Sequence, residues 1–382
     1  MGVCLKQFNF DDQLFFSLAV AGNKPTGIAN YAVNLAQNLP ITGATFFRPQ
    51  KLSPERFHDR LTDNHWLEIP ADYSAEAGKK GHLGRLVWTQ FRLSQFCKKA
   101  RTQAKRSGLI FSPAPEAPLG VGCRSVVMVH DLIPLRFPNW RSPLTLYAKF
   151  YVPQVLREAQ HIVCNSQATA DEIVEFFGIP ARKITPIPLA YDAEHFRWLN
   201  YPKQNYFVVL GRPDPHKNME RILDAFAQIS LKTNDTELWF VGPEDPRRTP
   251  ELRAKASALG VAERVKFVGY AAYADLPEIL GGAIALVFPS LWEGFGLPVL
   301  EAMACGTPVI TSNRSALPEV AGDAALLIDP ENVEDLAEAM GAIATDTALR
   351  ENRQQAGLAR VQRFSWQKTA YQTAELLHQV AF

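Results

Sequence analysis

Two carboxylates, Glu293 and Glu301, stand either side of seven residues in a stretch that combines a glycine turn with the start of a helix. The apolar run 283–288 before them predicts a buried parallel strand, and the glycines of 294–296 predict a turn. Pro298 is typical of a first helical turn, where its missing N–H does no harm. The stretch therefore predicts strand, turn, helix and strand, with both acids near the carboxyl end of a strand, where open α/β sheets bind ligands.

The chemistry of such a place depends on what the acids hold. A helix N-terminus has unpaired N–H groups and a partial positive charge, which suit a phosphate or a polar sugar. Carboxylates fit there when they accept hydrogen bonds from neutral hydroxyls, at about 1.5–3 kcal/mol for each charge-assisted bond. Sugar and ribose hydroxyls are donors of this kind. On spacing alone, a surface loop and helix with solvated acids explain the pattern equally well.

Two cations occupy a second predicted turn. Arg212 and Lys217 lie in the segment GRPDPHKN, between a strand over 206–210 and a helix. A cation at the start of a helix is mildly unfavourable unless an anion is also present, and a diphosphate would supply that anion. Without further information, two basic residues in a loop are usually solvated.

The first half of the chain has two comparable places. A strand over 14–21 precedes Gly27, which begins a helical pattern in which Ile28, Tyr31, Leu35 and Leu39 recur at helical spacing. A strand over 125–129 ends at His130 and Asp131, again where parallel sheets bind ligands. A glycine loop alone is a weak indication of nucleotide binding, and a histidine after a strand is often structural.

Composition limits the class of protein. The 382 residues suffice for two domains, and the net charge of +1 gives no support for a nucleic-acid binder. No apolar run reaches the length of a membrane span, and the N-terminus lacks a signal-peptide pattern. The five cysteines are scattered without metal-like or disulfide-like spacing, so we expect reduced thiols and a cytoplasmic protein.

One helix is unusual in its charge. Residues 84–106 form a basic segment without any acid. Such a helix can lie on an anionic membrane surface, which would make the protein peripheral at the inner face of the membrane. The alternative is a helix that packs on the N-terminal sheet and exposes its charges to water.

The stretch PSLWEGFGLPVLEAMACGTPV, with LPEVAGDAALLIDP after it and LGRPDPHKN upstream, resembles family 4 of the retaining glycosyltransferases, in which two glutamates are separated by seven residues. The resemblance is strong over 206–345 and weaker in the first half. It implies the GT-B fold, an α/β architecture of two facing Rossmann-like domains with a cleft between them. The expected parts are an N-terminal acceptor-side domain (1–190), a linker (191–204), a nucleotide-sugar domain (205–364) and a terminal helix (365–382) that packs back on the first domain.

The resemblance also implies roles for individual residues. The expected catalytic residues are His130, Arg212, Lys217 and Glu293. The expected donor-binding residues are Gly27, Arg212, Lys217, Tyr270, Glu293, Gly294, Phe295, Gly296, Leu297 and Glu301. Asn30 and Asp131 are expected on the acceptor side. Arg212 and Lys217 would stabilise the departing diphosphate, Glu301 would accept the ribose hydroxyls, and Glu293 would orient the sugar.

The expected reaction is transfer of a hexose, with retention, to a hydroxyl of a glycan or lipid-linked oligosaccharide in cell-surface polysaccharide synthesis. We favour front-face attack without a metal or other cofactor, because no carboxylate is an obvious nucleophile and no acidic pair is placed for a cation. A UDP-hexose is the favoured donor and GDP-mannose the second. The alternatives are a non-catalytic nucleotide-sugar binder of the same fold and another GT-B enzyme such as a sugar-nucleotide epimerase.

Overall fold

The computed structural model describes residues 6–22, 26–50, 52, 57, 61, 63–70, 73, 78–103, 108–230 and 235–382. It divides into two compact units. Unit 1 contains residues up to Leu189 together with Trp366–Phe382, and unit 2 contains Ala190–Ser365.

Unit 1 is built on a seven-stranded sheet of order β3-β2-β1-β4-β5-β6-β7, in which every strand pair is parallel. The strands are β1 (Phe8–Ser17), β2 (Ile41–Pro49), β3 (His65–Ile69), β4 (Leu109–Ser112), β5 (Arg124–Val129), β6 (His161–Cys164) and β7 (Ile184–Pro186). Its helices are α1 (Gly27–Asn38), α2 (Gly78–Trp88), a π-helical turn (Thr89–Leu93), α3 (Ser94–Gln103), α4 (Ile133–Arg136), α5 (Pro143–Leu146), a second π-helical turn (Tyr147–Tyr151), α6 (Val152–Glu158), α7 (Gln167–Phe177) and a 3₁₀ turn (Ala181–Lys183).

The C-terminal helix α15 (Trp366–Ala381) also belongs to unit 1. Its Tyr371 and His378 contact Phe8, with ring centroids 5.6 and 5.5 Å apart. Phe8 and Phe10 are buried, so the first strand begins at Phe8 rather than at Leu14 as predicted from its apolar run. The error arose because the covering helix comes from the far end of the chain.

Unit 2 has a six-stranded parallel sheet of order β10-β9-β8-β11-β12-β13. Its strands are β8 (Tyr206–Leu210), β9 (Glu237–Val241), β10 (Val265–Gly269), β11 (Ala285–Phe288), β12 (Val309–Ser312) and β13 (Leu326–Ile328). Its helices are α8 (Met219–Ile229), α9 (Arg248–Ala258), α10 (Leu276–Gly282), α11 (Leu297–Ala304), α12 (Leu317–Ala321), α13 (Val333–Thr345) and α14 (Thr347–Val361), with 3₁₀ turns at Pro215–Lys217, Ala262–Arg264, Tyr273–Asp275 and Gly322–Ala324.

The stretch 191–204, expected to be a linker, is grouped with unit 2. Phe196 is fully buried there, and its ring lies 5.6 Å from that of Tyr273. The absence of helical or strand periodicity in this stretch reflects an irregular backbone, which nevertheless contributes the buried ring of Phe196 to unit 2.

Both sheets reverse their strand order at one place, between β1 and β4 in unit 1 and between β8 and β11 in unit 2. Loops that leave such a point in opposite directions open a crevice at the carboxyl ends of the strands, and ligands bind there in open α/β folds. The loops after β1, β8 and β11 are the ones in which the sequence placed Gly27, Lys217 and Glu293.

Candidate functional site

The reversal point of unit 2 brings Lys217 and Glu293 together. Lys217 Nζ donates to Glu293 Oε1 at 2.6 Å, and both side chains are mostly buried. The ammonium also lies 4.6 Å from the centre of the Phe288 ring, a cation–π contact. Since an ammonium has three N–H donors and only one points at Glu293, the other two remain for an anion.

The loop that carries Lys217 is held by Asn218. This residue has a left-handed backbone, with φ of 61°, and its buried amide donates to the carbonyls of Pro289 and Pro330. The N–H of Leu291 in turn donates to the His216 carbonyl at 2.7 Å. The loops after β8 and β11 are therefore joined by main-chain and amide hydrogen bonds, which fix the lysine against the glutamate.

Two glycines are required by close approach. A Cβ on Gly242, at the end of β9, would lie 2.3 Å from the Gly211 carbonyl oxygen. Gly296 precedes α11 with φ of 109°, and its Cβ would come within 2.7 Å of a Leu317 methyl. Both positions lie beside the residues expected to bind the donor. The backbone there can adopt its conformation only because glycine has no Cβ.

Glu301 lies in the second turn of α11 and is partly buried. Burial, and next the negative charge of Asp192, raise the pKa of Glu301 to about 7. A carboxyl group that ionises near neutrality is common where a binding or catalytic group is held in a poorly hydrated place.

The neighbours of Glu301 were not predicted from the sequence. Asp192 Oδ2 accepts from the Tyr273 hydroxyl at 3.3 Å, and Asp192 Oδ1 accepts from two main-chain N–H groups. The His195 ring stacks on that of Tyr273, with centroids 4.0 Å apart, and bonds its carbonyl. Asp192 and His195 come from the stretch taken as a linker, where no motif signalled them, and Tyr273 begins a 3₁₀ turn after β10.

The remaining donor-side residues are placed differently. Arg212 pairs with Asp214 at 3.0 Å, and 59% of its side chain is exposed. Thus only one of the two expected cations contacts an expected site glutamate. Tyr270 is 74% exposed, whereas Phe295 is buried against Phe364. Gly294 lies in the turn and Leu297 begins α11.

In unit 1, His130 directly follows β5. Its Nε2 lies 2.9 Å from the Pro113 carbonyl, which assigns the proton to Nε2 and leaves Nδ1 as an acceptor. Burial lowers the pKa of His130 to about 4, against the opposing effect of the Pro113 bond. The imidazole is therefore neutral at physiological pH and can accept a hydrogen bond from a hydroxyl.

The other expected residues of unit 1 surround the start of α1 and the end of β5. Gly27 begins α1 after Thr26, whose hydroxyl caps the Ala29 N–H. Asn30 is held through its backbone by Thr26, and Asp131 accepts from the Ile133 N–H at 3.1 Å. Ile28, in the first turn of α1, is 39% exposed and lines a cavity.

That cavity, of about 450 Å³, lies at the reversal point of unit 1 and is lined by Gly27, His130 and Asp131. It also contains a buried ion pair that sequence reasoning missed. Arg85 donates to both oxygens of Glu116, at 2.7 and 2.8 Å, and to His82 Nδ1 at 2.8 Å. Glu116 follows β4, so the strand-end rule could have found it, but Arg85 lies 31 residues earlier without a shared motif.

The residues of the two units match two models of known families. Residues 25–195 match the model "Glycosyltransferase Family 4", and residues 191–360 match "Glycosyl transferases group 1". The O-antigen chain mannosyltransferase B of Escherichia coli is 30% identical over 267 residues, which are 65% of this chain and 69% of the relative.

The chain belongs to the group 1 glycosyltransferases of family 4.

Solved structures agree on the fold of this glycosyltransferase. Sucrose-phosphate synthase from Thermosynechococcus elongatus is 21% identical, with a TM-score of 0.70 over 98% of this chain and 99% of the other. HepE from Anabaena, solved with UDP and glucose, is also 21% identical, with a TM-score of 0.67 over 96% of this chain and 99% of its own. The GT-B fold and the family expected from the sequence are confirmed.

Within the part of the chain that the structure describes, no three His, Cys, Asp or Glu side chains are grouped to hold a metal ion. Among the same residues, no helix has both the length and the apolar character that crossing a membrane requires.

Proposed function

We propose that this glycosyltransferase moves a hexose, with retention of anomeric configuration, from a nucleoside-diphosphate sugar to a hydroxyl of a growing polysaccharide or lipid-linked oligosaccharide. The observation that carries the proposal is the Lys217–Glu293 pair at the strand-order reversal of unit 2. In this pair, Lys217 is the proposed cation for the diphosphate, and Glu293 is the proposed hydrogen-bond acceptor for a sugar hydroxyl. The family match supports the reaction class, and the E. coli relative is named an O-antigen chain mannosyltransferase, which supports a polysaccharide acceptor.

Lys217 has the central role in bond cleavage. Negative charge grows on the diphosphate as the bond to the sugar breaks, and a fixed cation stabilises that charge most in the transition state. The Glu293 carboxylate and the Phe288 ring hold the ammonium in place before the donor arrives. Because it is already positioned, the lysine does not need to reorganise during the reaction.

The two glutamates have binding roles. Glu293 shares its charge with Lys217 through one oxygen, and its other oxygen is proposed to accept from a sugar hydroxyl and orient the ring. Glu301, in the second turn of α11, is proposed to accept both ribose hydroxyls of the nucleotide. Those bonds form in the ground state and persist in the transition state, so they contribute to donor affinity more than to turnover.

Retention without a covalent intermediate is proposed because Glu293 is engaged with the lysine rather than free to attack. The acceptor hydroxyl would then approach on the face from which the diphosphate leaves, and the leaving phosphate would take its proton. The charge needed at the diphosphate is proposed to come from Lys217, Arg212 and the start of α11, without a metal ion.

The proposed sugar is mannose. The E. coli relative is named a mannosyltransferase, and of the two donors considered from the sequence, GDP-mannose is the one that carries this sugar. A UDP-hexose is the competing donor, because HepE was solved with UDP and glucose. The contacts that distinguish guanine from uracil would involve the main chain around Tyr270.

The experiment incubates the full chain with GDP-[14C]mannose and, separately, with UDP-[14C]glucose and UDP-[14C]N-acetylglucosamine, with and without a lipid-linked oligosaccharide extract. We expect GDP-mannose to be consumed fastest and its label to enter the extract in an α linkage, as determined by NMR. A β product would refute retention, and preference for a UDP-sugar would refute mannose as the transferred sugar.

Two alternatives give different results in the same assay. A non-catalytic binder would be stabilised by a nucleotide in a thermal-shift experiment, yet it would neither hydrolyse nor transfer any labelled sugar. A sugar-nucleotide epimerase would convert the donor into its epimer without release of the nucleoside diphosphate. The Lys217–Glu293 pair favours transfer, because epimerisation needs an acid/base pair at a sugar carbon and not a cation at the phosphate.

A further inference from the structure

One face of unit 1 combines exposed apolar side chains with cations. In α2 and the π-helical turn after it, Leu83, Val87 and Phe91 recur every four residues, and they are 63%, 49% and 65% exposed. Monomeric proteins rarely leave a contiguous apolar row in water unless a partner or a membrane covers it.

A second segment contributes the same kind of side chain. Trp140 and Phe150 are each 58% exposed, and Leu144 is 52% exposed. Lys149 Nζ lies 4.5 Å from the Trp140 ring centre and 5.6 Å from that of Phe150, so a cation is held between two exposed aromatic rings.

The two segments are neighbours. Gln90 Nε2 donates to the Tyr151 hydroxyl at 2.8 Å, and the rings of His82 and Tyr147 lie 4.8 Å apart. We call the combined area the apolar-cationic surface. Its apolar members are Leu83, Val87, Phe91, Trp140, Leu144 and Phe150, and its exposed cations are Lys80, Arg92, Arg141 and Lys149.

The charge of this surface has one sign. Residues 78–103 and 132–157 contain neither Asp nor Glu. At the chain's average of 39 acids in 382 residues, these two segments together would carry about five. The basic helix foreseen from the sequence is therefore only half of a larger acid-free area, and the second half could not be found without the contacts between the segments.

We infer that the apolar-cationic surface docks on an anionic lipid bilayer. Lysine and arginine beside exposed Trp, Phe and Leu are the composition that settles at the level of lipid headgroups, with cations on the phosphates and rings among the upper acyl chains. A second copy of the chain does not fit as well, because a symmetric contact would bring two acid-free cationic surfaces together. A nucleic acid would use the cations but leave the leucines and the valine uncovered.

Docking in this position has a consequence for the acceptor. Leu144 belongs to the apolar-cationic surface and also lines the cavity of unit 1, together with His82, Tyr147 and His130. The opening of the cavity therefore adjoins the proposed lipid contact. This point rests on the proposed function, whereas the docking itself does not.

The experiment is flotation of the full chain with vesicles of phosphatidylcholine alone or of phosphatidylcholine with phosphatidylglycerol. We expect binding to the anionic vesicles, a blue shift of Trp140 fluorescence (isolated by comparison with Trp140→Phe), and loss of binding at high salt. Neutralising Lys80 and Lys149 to Gln is expected to weaken partitioning about fivefold per cation. The triple variant Leu83→Ser, Val87→Ser and Phe91→Ser is expected to weaken it tenfold or more.

The control substitutes serine for three exposed apolar residues elsewhere, Val174, Leu259 and Leu327, which are 39%, 36% and 40% exposed, and is expected to float like the wild type. Equal flotation of the first triple variant and the wild type would overturn the inference. So would retention on a polyanion without flotation, or a dimer in sedimentation that the triple variant abolishes while vesicles stay unbound. Hydrolysis of the donor in the absence of lipid is expected to be unchanged in the triple variant, which separates this inference from the proposed function.

Discussion

Donor binding is expected to weaken as the pH falls through 7, because the proposed ribose acceptor Glu301 is protonated there. Burial and the charge of Asp192 raise the pKa of Glu301 to about 7. With that value, about nine tenths of the carboxyl groups are ionised at pH 8 and about one tenth at pH 6. If only the carboxylate accepts both hydroxyls, the apparent donor affinity falls in proportion to that fraction, which is about tenfold.

The assay is the donor KM between pH 5.5 and 8.5 at saturating acceptor, supported by calorimetric titration of the nucleoside diphosphate. Glu301→Gln is expected to raise the donor KM by about tenfold or more, since a charge-assisted bond contributes about 1.5–3 kcal/mol, and to remove the pH dependence. Asp192→Asn removes one of the two causes of the raised pKa, so its midpoint is expected at lower pH. The control is Asp224→Asn, an acid of unit 2 that pairs with Lys255.

The histidines of the proposed site are separable from this effect. The pKa of His130 is lowered to about 4, which is below the range of the assay, and burial also lowers the pKa of His216. His195, which stacks on Tyr273, is tested with His195→Gln. A donor KM that stays flat from pH 6 to pH 8, or a pH dependence that survives in Glu301→Gln, would refute the role of this carboxylate.

Three further predictions concern the same two units. Lys217→Ala is expected to lower kcat by about 10²–10³, the loss that follows removal of one charge-stabilising donor. Lys255→Ala, which breaks a comparable pair with Asp224, is the control. An unchanged kcat in Lys217→Ala would disprove the leaving-group role. Gly296→Ala is expected to lower the free energy of unfolding in urea more than Gly260→Ala does, and to raise the donor KM. Both glycines have positive φ, but of the two only Gly296 lacks room for a Cβ. Equal losses of stability would show that the Leu317 contact is unimportant. Glu116→Gln is expected to destabilise the chain by about 3–5 kcal/mol, since the buried Arg85 loses its counter-charge, and replacing both partners by Leu and Met is expected to cost less; the opposite order in urea unfolding would contradict this.

The sequence was most informative where one short segment contains both the structure and the chemistry. The glycine turn, Pro298 and the two glutamates lie within one strand–turn–helix unit, so local signals placed Glu293 in the turn and Glu301 in α11. The same holds for Lys217, which lies in the loop between β8 and α8. Their spacing along the chain already determined which end of the sheet they occupy.

Features that depend on distant contacts could not be predicted in this way. Arg85 and Glu116 meet through the packing of α2 against the loop after β4, and Asp192 meets Tyr273 through the irregular stretch 190–204. The pairing of Arg212 with Asp214, two residues away, shows a different limit. The sequence gives the presence of both charges, but only the conformation of the loop decides whether the arginine turns to its neighbour or to a ligand.

Gly242 and Gly211 bring the loops after β9 and β8 into contact through their backbones, without any side chain between them. A single methyl group at Gly242 would overlap the Gly211 carbonyl, and the Gly211 N–H donates to the Val241 carbonyl at 2.9 Å, so the ends of β8 and β9 are packed backbone against backbone. The segment between Gly211 and Lys217 is consequently anchored to a strand that contributes no charged group to the reaction. Redesign of that segment alone, with the aim of altering donor choice, would therefore be limited by its packing against the end of β9. The end of β9 would have to be redesigned with it.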